Sequence, residues 1–263
     1  MKTDTKSIEL PTNYDFEFSV CSIVSNRNEY ELMKESFLSK GFSEQTEYLI
    51  TDNTKQNQLD AYQSIRLFLQ QARGKYIIIT HQDVRCIDEI SQLRQCLQSL
   101  DKIDNKWAIC GNAGGRGYKK MFYWIDNDFE VRKSNNLPAQ VYTLDENFLI
   151  LKNEAQMSVS SDFSGFHFYG TDLCLTADFL GYNAYVIPFL VKHLSKGNLK
   201  DMKVSEPIFV RAYGRKLRSR FIQTTCTKFY LSNKSWKSFF YNHPFVFFFV
   251  KPIYRIINAF RKP

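Results

Sequence analysis

Three short apolar runs near the start of the chain each end in polar residues, and helical periodicity separates each from the next. This alternation constrains the fold more than any other feature. Phe18 to Val24 ends in Ser25-Asn26-Arg27-Asn28, Glu47 to Thr51 in Asp52-Asn53, and Tyr76 to Thr80 in His81-Gln82-Asp83. Between them, Glu29 to Ser39 carries Leu32, Met33, Ser36 and Phe37 at helical spacing and stops at Gly41. Leu59 to Ala72 repeats the pattern with Leu59, Tyr62, Ile65 and Leu69. A further helix over Asp88 to Leu100 and a strand over Trp107 to Cys110 continue the series. Such alternation predicts an α/β fold, Rossmann-like, with a mostly parallel sheet flanked by helices. Ligands then bind at the carboxyl ends of the strands, where all three polar clusters fall.

The second half is less regular. Gly111 to Lys133 reads as loops with a β-hairpin, and its glycine-rich start, Gly111 to Gly117, lacks the Lys-Ser/Thr of a phosphate-binding loop. It is expected to be a flexible loop near an acceptor, or a turn. Asp145-Glu146 precedes an apolar strand ending near Leu151. Thr171 to Leu180 is expected as a helix and Tyr185 to Val191 as a strand.

With 263 residues, 44% apolar and 16% aromatic, the chain can bury a sizeable core. Its six cysteines are scattered without a CxxC pair, so a disulfide framework or zinc site is not expected and a reducing cytosol is the simpler setting. Met1 to Thr12 is polar and does not read as a secretory signal. The net charge of +8 is uneven. From Lys196 onward there are 15 Lys/Arg against two acids (+13), whereas the preceding residues carry 20 against 25 (−5). Nucleic acid is therefore not an expected partner of the acidic body.

Each polar residue has an ordinary structural reading as well: Asp83 as a turn residue, Asp172 as a helix cap, His193 as an exposed loop residue. Taken together, six segments in order resemble the family 2-type glycosyltransferases of the GT-A (nucleotide-diphospho-sugar transferase) fold, and within them a bacterial glycosyltransferase-like branch. They are Ser-Ile-Val-Ser-Asn-Arg-Asn from Ser22, Thr-Asp-Asn-Thr from Thr51, Thr-His-Gln-Asp-Val from Thr80, Leu-Asp-Glu-Asn-Phe-Leu-Ile from Leu144, Phe-His-Phe-Tyr-Gly-Thr-Asp-Leu-Cys-Leu from Phe166, and Val-Lys-His-Leu-Ser from Val191.

The resemblance implies a catalytic domain over residues 1–197 and an inverting transfer from a nucleotide-diphosphate sugar to a glycan or lipid-linked acceptor, as in bacterial surface polysaccharide synthesis. Ser25, Asn26, Asp52, Asn53, His81, Gln82 and Asp83 would hold the donor. Asp83, as the last carboxylate of a DxD-type motif, and His193 would hold Mn²⁺ or Mg²⁺. Asp172 would be the base, with Asp145 or Glu146 as alternatives. Two positions depart from the family pattern: His81 stands where the first DxD carboxylate would be, and Tyr169-Gly170 replace the Glu-Asp pair of the base motif. Two other functions are compatible with such a chain. A sugar nucleotidyltransferase would need a glycine-rich first loop, which Ser25 to Asn28 is not; a degenerate scaffold subunit would fit the two departures.

Residues 198–263 read as a basic, aromatic helical appendage. Its longest uncharged apolar run, seven residues from Pro244 to Val250, is far below the roughly 20 needed to span a bilayer. Aromatics beside Lys and Arg fit instead a segment lying on an anionic membrane surface, which would put the protein at the inner face of the cell membrane.

Overall fold

A computed structural model describes residues 13–195, 199–246, 248, 249 and 252. The polar start Met1–Thr12, the domain change expected near Gly197, and Phe247, Val250, Lys251 and residues 253–263 of the expected appendage lie outside the described residues. The chain divides into two compact units between Ser205 and Glu206.

In the first unit the alternation becomes β1 (Phe16–Val24), α1 (Arg27–Ser39), β2 (Thr46–Asp52), α2 (Ala61–Gln71), β3 (Gly74–Thr80), β4 (Val84–Cys86), α3 (Ile90–Ile103) and β5 (Trp107–Gly111). The rest forms β6 (Ala113–Gly115), β7 (Met121–Asp126), β8 (Val131–Lys133), β9 (Ala139–Val141), β10 (Thr143–Leu144), β11 (Phe148–Lys152), α4 (Tyr169–Phe179), β12 (Asn183–Val186) and β13 (Val191–His193). The central sheet has the order β2-β1-β3-β11-β5-β12-β9. Strands β1, β2 and β3 are parallel, as are β5 and β12, but β11 runs against both its neighbours and β9 against β12. The sheet is therefore mixed.

Both faces of this sheet are buried, which is why its strands read as continuous apolar runs. Along β3, Tyr76 and Ile78 face one core with Met33 and Phe37 of α1 and Leu93 and Leu97 of α3. Ile77 and Ile79 face the other, with Tyr62, Ile65 and Phe68 of α2 and Leu173 and Ala177 of α4. At ~1.5–3 kcal/mol per fully buried large apolar side chain, these two layers supply the bulk of the fold's driving force. The helices start where the sequence offers caps. Asn26 accepts from the amides of Asn28 and Glu29, and Asp60 closes a capping box with Gln63.

Three expectations need correction. Leu32 is 50% exposed; the buried face of α1 is Tyr30, Met33 and Phe37. Gly111 to Gly115 is not a flexible loop, because β6 is wholly buried between β10 and β7. A Cβ on Gly114 would lie 2.4 Å from the Thr143 carbonyl oxygen, so glycine serves close strand approach there. The apolar stretch from Tyr185 to Val191 is two strands in different sheets. Pro188, with no amide to donate, stands between them. The second sheet, β10-β6-β7-β13-β4 with β8 on β7, flanks the carboxyl end of β3.

The second unit follows from within helix α5 (Leu199–Lys216), with the hairpin β14 (Arg220–Gln223) and β15 (Lys228–Leu231) and helix α6 (Ser235–Asn242). Helix α6 buries no residue, and Trp236, Phe239, Phe240, Phe245, Phe248 and Phe249 are exposed. Among the described residues no helix is long and apolar enough to cross a membrane.

Candidate active site and metal centre

Strand direction assembles the site. Because β11 is antiparallel to β3, with Phe148 opposite Thr80, the residues just before β11 return beside the segment just after β3. Asp145 and Glu146 thereby line the same cavity as His81, Gln82 and Asp83. Strand β13 is antiparallel to β4 with His193 opposite Val84, so His193 arrives next to Asp83. Two antiparallel pairings thus gather residues spread from His81 to His193 along the chain.

Asp83 Oδ1 lies 3.5 Å from His193 Nε2 and 3.9 Å from His81 Nδ1. The three residues, all half-buried, present ligand atoms within 4.8 Å of one another, a His-Asp-His set able to hold a metal ion. Burial raises the Asp83 carboxyl, but hydrogen bonding and charge from His193, then His81, outweigh it and bring the group to about 2. Burial, reinforced by His193, lowers His81 from its ordinary value. At neutral pH the pair is thus a carboxylate beside an uncharged imidazole, the protonation states a cation requires of its ligands.

Gln82 fixes the adjoining loop. Its Oε1 accepts from the amides of Ser25 and Asn26, both at 2.9 Å, while its Nε2 donates to Ser25 Oγ. Ser25 is left on the cavity wall. Asn26 is occupied as the α1 cap and is not on that wall. Asp52, at the end of β2, is exposed, paired with Arg27 at 3.2 Å, and held below the usual carboxylate range by hydrogen bonds from Thr54; it too is off the wall. Asn53 lines the cavity, but its side chain is bonded to the backbone of Gln58 and Leu59.

In the turn before β11, Asp145 accepts from the backbone and side-chain amides of Asn147 and is exposed on the cavity wall. Glu146 Oε1 accepts from the Gly170 amide at the start of α4. Burial pushes the Glu146 carboxyl up to about 8, against the opposing pull of the Gly170 amide and with help from the charge of Asp145. Gly170 makes room for it: a Cβ there would sit 2.6 Å from the Leu144 carbonyl oxygen and 3.2 Å from Glu146 Cγ. Where a side chain from position 170 would project, Glu146 already stands.

Asp172 is placed elsewhere. It is fully buried in the first turn of α4, accepts from Ser160 N at 2.7 Å and Ser160 Oγ at 2.6 Å, and does not line the cavity. Its carboxylate holds the Ser160 loop, whereas Asp145 and Glu146, the other two carboxylates expected as candidates for the base, both line the cavity. Tyr169, which the sequence did not single out as a site residue, also lines the cavity. Its hydroxyl lies 2.8 Å from His81 Nε2 and donates to the Glu146 carbonyl oxygen at 3.0 Å. An aromatic hydroxyl in the motif position before Gly170 was the available signal.

The cavity, about 1080 Å³, continues between Met121, Tyr123, Asn127, Phe129 and Arg132 of the β7–β8 hairpin and the segment Phe166-His167-Phe168. That volume is at the upper end of ordinary ligand pockets.

Fold and site together define a mixed α/β protein with a metal-competent centre at the carboxyl end of its third strand. No family model matches the sequence. The chain is 35% identical over 188 residues to the protein named ATP synthase subunits region ORF 6 of Fuscovulum blasticum, which covers 68% of this chain and 76% of that protein, and it belongs to that protein's family. Among solved structures it is similar to A197 from STIV, at 15% identity and a TM-score of 0.44 over 69% of this chain and 87% of that one. It is also similar to the mannosyltransferase PcManGT from Pyrobaculum calidifontis in complex with GDP-Man and Mn²⁺, at 13% identity and a TM-score of 0.47 over 79% of this chain and 68% of that one.

Proposed function

We propose that the protein is an inverting glycosyltransferase of the GT-A fold, moving a sugar from a nucleotide-diphosphate sugar to a glycan or lipid-linked acceptor. One observation carries this reading: a cation-competent His81/Asp83/His193 set and a carboxyl of raised pKa, Glu146, share one large cavity at strand ends. A divalent cation bound there would neutralise the charge of the departing diphosphate. Asp83, His193 and His81 would hold it; their donor set fits a divalent ion. Ser25, positioned by Gln82, would meet the nucleotide end of the donor. Glu146 in its ionised form would take the proton of the acceptor hydroxyl as that oxygen bonds to the sugar's anomeric carbon and the diphosphate leaves from the other face. Asp145 is the neighbouring alternative. In this reading Asp172 holds the Ser160 loop instead of taking the acceptor proton.

Donor binding and hydrolysis with UDP-, GDP- and dTDP-sugars plus Mn²⁺ tests the reading. Turnover of one of them supports it. No turnover of any, together with binding of a partner transferase, would replace it with the scaffold role.

The second unit fits a membrane-surface role, supported by its exposed Trp236, Phe239, Phe245 and Phe248 beside many Lys and Arg. A lipid-linked acceptor at the inner face of the membrane would explain it. Deleting residues 232–263 should release the protein into the soluble fraction; a shortened protein that stays with the membranes removes the proposed anchor.

A further inference from the structure

The replacement of a carboxylate by His81 at the end of β3 changes what kind of cation this centre selects. The protons of the neighbouring hydroxyl decide which nitrogen of His81 is available. Tyr169 has one hydroxyl proton and donates it to the Glu146 carbonyl oxygen at 3.0 Å. Its oxygen therefore accepts at 2.8 Å from His81 Nε2, which must carry the hydrogen. The lone pair of His81 is then on Nδ1, the atom 3.9 Å from Asp83 Oδ1. Buried Tyr169 thus acts as a tautomer-fixing partner of a ligating histidine.

The spacing is close to that of a filled site. Metal–nitrogen and metal–oxygen bonds of roughly 2.0–2.2 Å put any two ligands of one ion within about 4 Å. The two Asp83 separations, 3.5 and 3.9 Å, satisfy that limit, and the whole set lies within 4.8 Å, so closure asks for shifts below about 1 Å. Mg²⁺ favours oxygen ligands in an octahedron and gives up water reluctantly, whereas imidazole suits the later first-row ions. Two nitrogens and one oxygen on one side of an ion leave its remaining positions open to the cavity.

We propose that His81 Nδ1, Asp83 Oδ1 and His193 Nε2 together bind one transition-metal ion, that Tyr169 positions His81 for it, and that the centre discriminates against Mg²⁺. This deepens the glycosyltransferase reading, whose donor would occupy the open positions, but it is measured without any nucleotide.

The test titrates chelator-stripped full-length protein with Co²⁺, Mn²⁺, Zn²⁺ and Mg²⁺, following Co²⁺ d–d absorption and calorimetry. One Co²⁺ per chain is expected, bound on the order of 100-fold or more tighter than Mg²⁺. Asp in place of histidine, His81→Asp, should shrink that ratio at least ~10-fold while Mg²⁺ still binds. Tyr169→Phe should weaken Co²⁺ by ~10–100-fold and alter the d–d spectrum with the stoichiometry unchanged. Circular dichroism melts confirm that each variant is folded. Absence of Co²⁺ binding by the wild type, or an unchanged Co²⁺/Mg²⁺ ratio in folded His81→Asp, overturns the proposal. A Tyr169→Phe spectrum identical to that of the wild type removes the positioning role. Selective Co²⁺ binding without turnover of any donor would sink the transferase reading and leave the centre standing. Donor turnover equally supported by Mg²⁺ and untouched in His81→Ala would do the reverse.

Discussion

The end of β3 and the first turn of α4 each carry an aspartate that the sequence marks as functional, and the structure treats them in opposite ways. Asp83 lies on a cavity wall with two imidazoles within 4 Å. Asp172 is fully buried, with both oxygens engaged by Ser160. The difference is one of facing. A carboxylate at a strand end projects into the ligand crevice, whereas on α4 the helix turn directs position 172 into the core and leaves position 171 on the wall. A motif identifies a residue type; the element carrying it decides whether ligand or protein consumes its charge.

Exchanging each aspartate for alanine should break the pair cleanly. Asp83→Ala is expected to lower cation-dependent nucleotide-diphosphate binding by at least ~100-fold in calorimetry, with the melting temperature little changed, because the proposed metal ligand is lost from a partly exposed position. Asp172→Ala should do the opposite. It strands the Ser160 amide and costs on the order of 1–3 kcal/mol of stability, with donor affinity kept. Loss of donor binding in folded Asp172→Ala would erase the contrast.

Glu146 sharpens it. Glu146→Gln should cut transfer by ~10²–10⁴-fold while donor binding persists. Since the proposed base would act in its ionised form, wild-type kcat/KM should climb with pH up to about 8, and the variant should lose that limb. Stability carries the same signature with opposite sign. The folded value of about 8 exceeds the ordinary 4.5, so the folded protein keeps a proton that the unfolded chain releases. Glu146 therefore costs stability progressively as pH rises from 4.5 towards 8, and the variant's melting temperature should exceed the wild type's most at the alkaline end. Equal melting-temperature profiles from pH 5 to pH 9 would contradict the burial of this carboxyl.

Much of this could be read from the chain because β1, β3 and β5 are largely buried and show as apolar runs with polar ends, as does the partly buried edge strand β2. Strand direction leaves no comparable local mark. Nothing within Phe148 to Lys152 reveals that β11 runs against β3, yet that reversal brings Glu146 rather than Asp172 to the cavity. Glycines were opaque for a similar reason. Gly114 and Gly170 are explained by the carbonyl oxygens of Thr143 and Leu144, which approach only in the folded chain. The smallest expected effect tests this last point: Gly170→Ala should cost about 1–3 kcal/mol in denaturant unfolding and disturb Glu146, whereas alanine at Gly181, with open space around it, should leave Glu146 undisturbed.

A cation held by His81, Asp83 and His193 is the central claim. Anomalous diffraction from crystals grown with Mn²⁺ and a nucleoside diphosphate tests it most directly. The expected result is a single manganese peak roughly 2.0–2.3 Å from Asp83, His81 and His193 with the diphosphate on its open side. A nucleotide bound in the cavity with no peak at these residues, or a peak on other side chains, would contradict it.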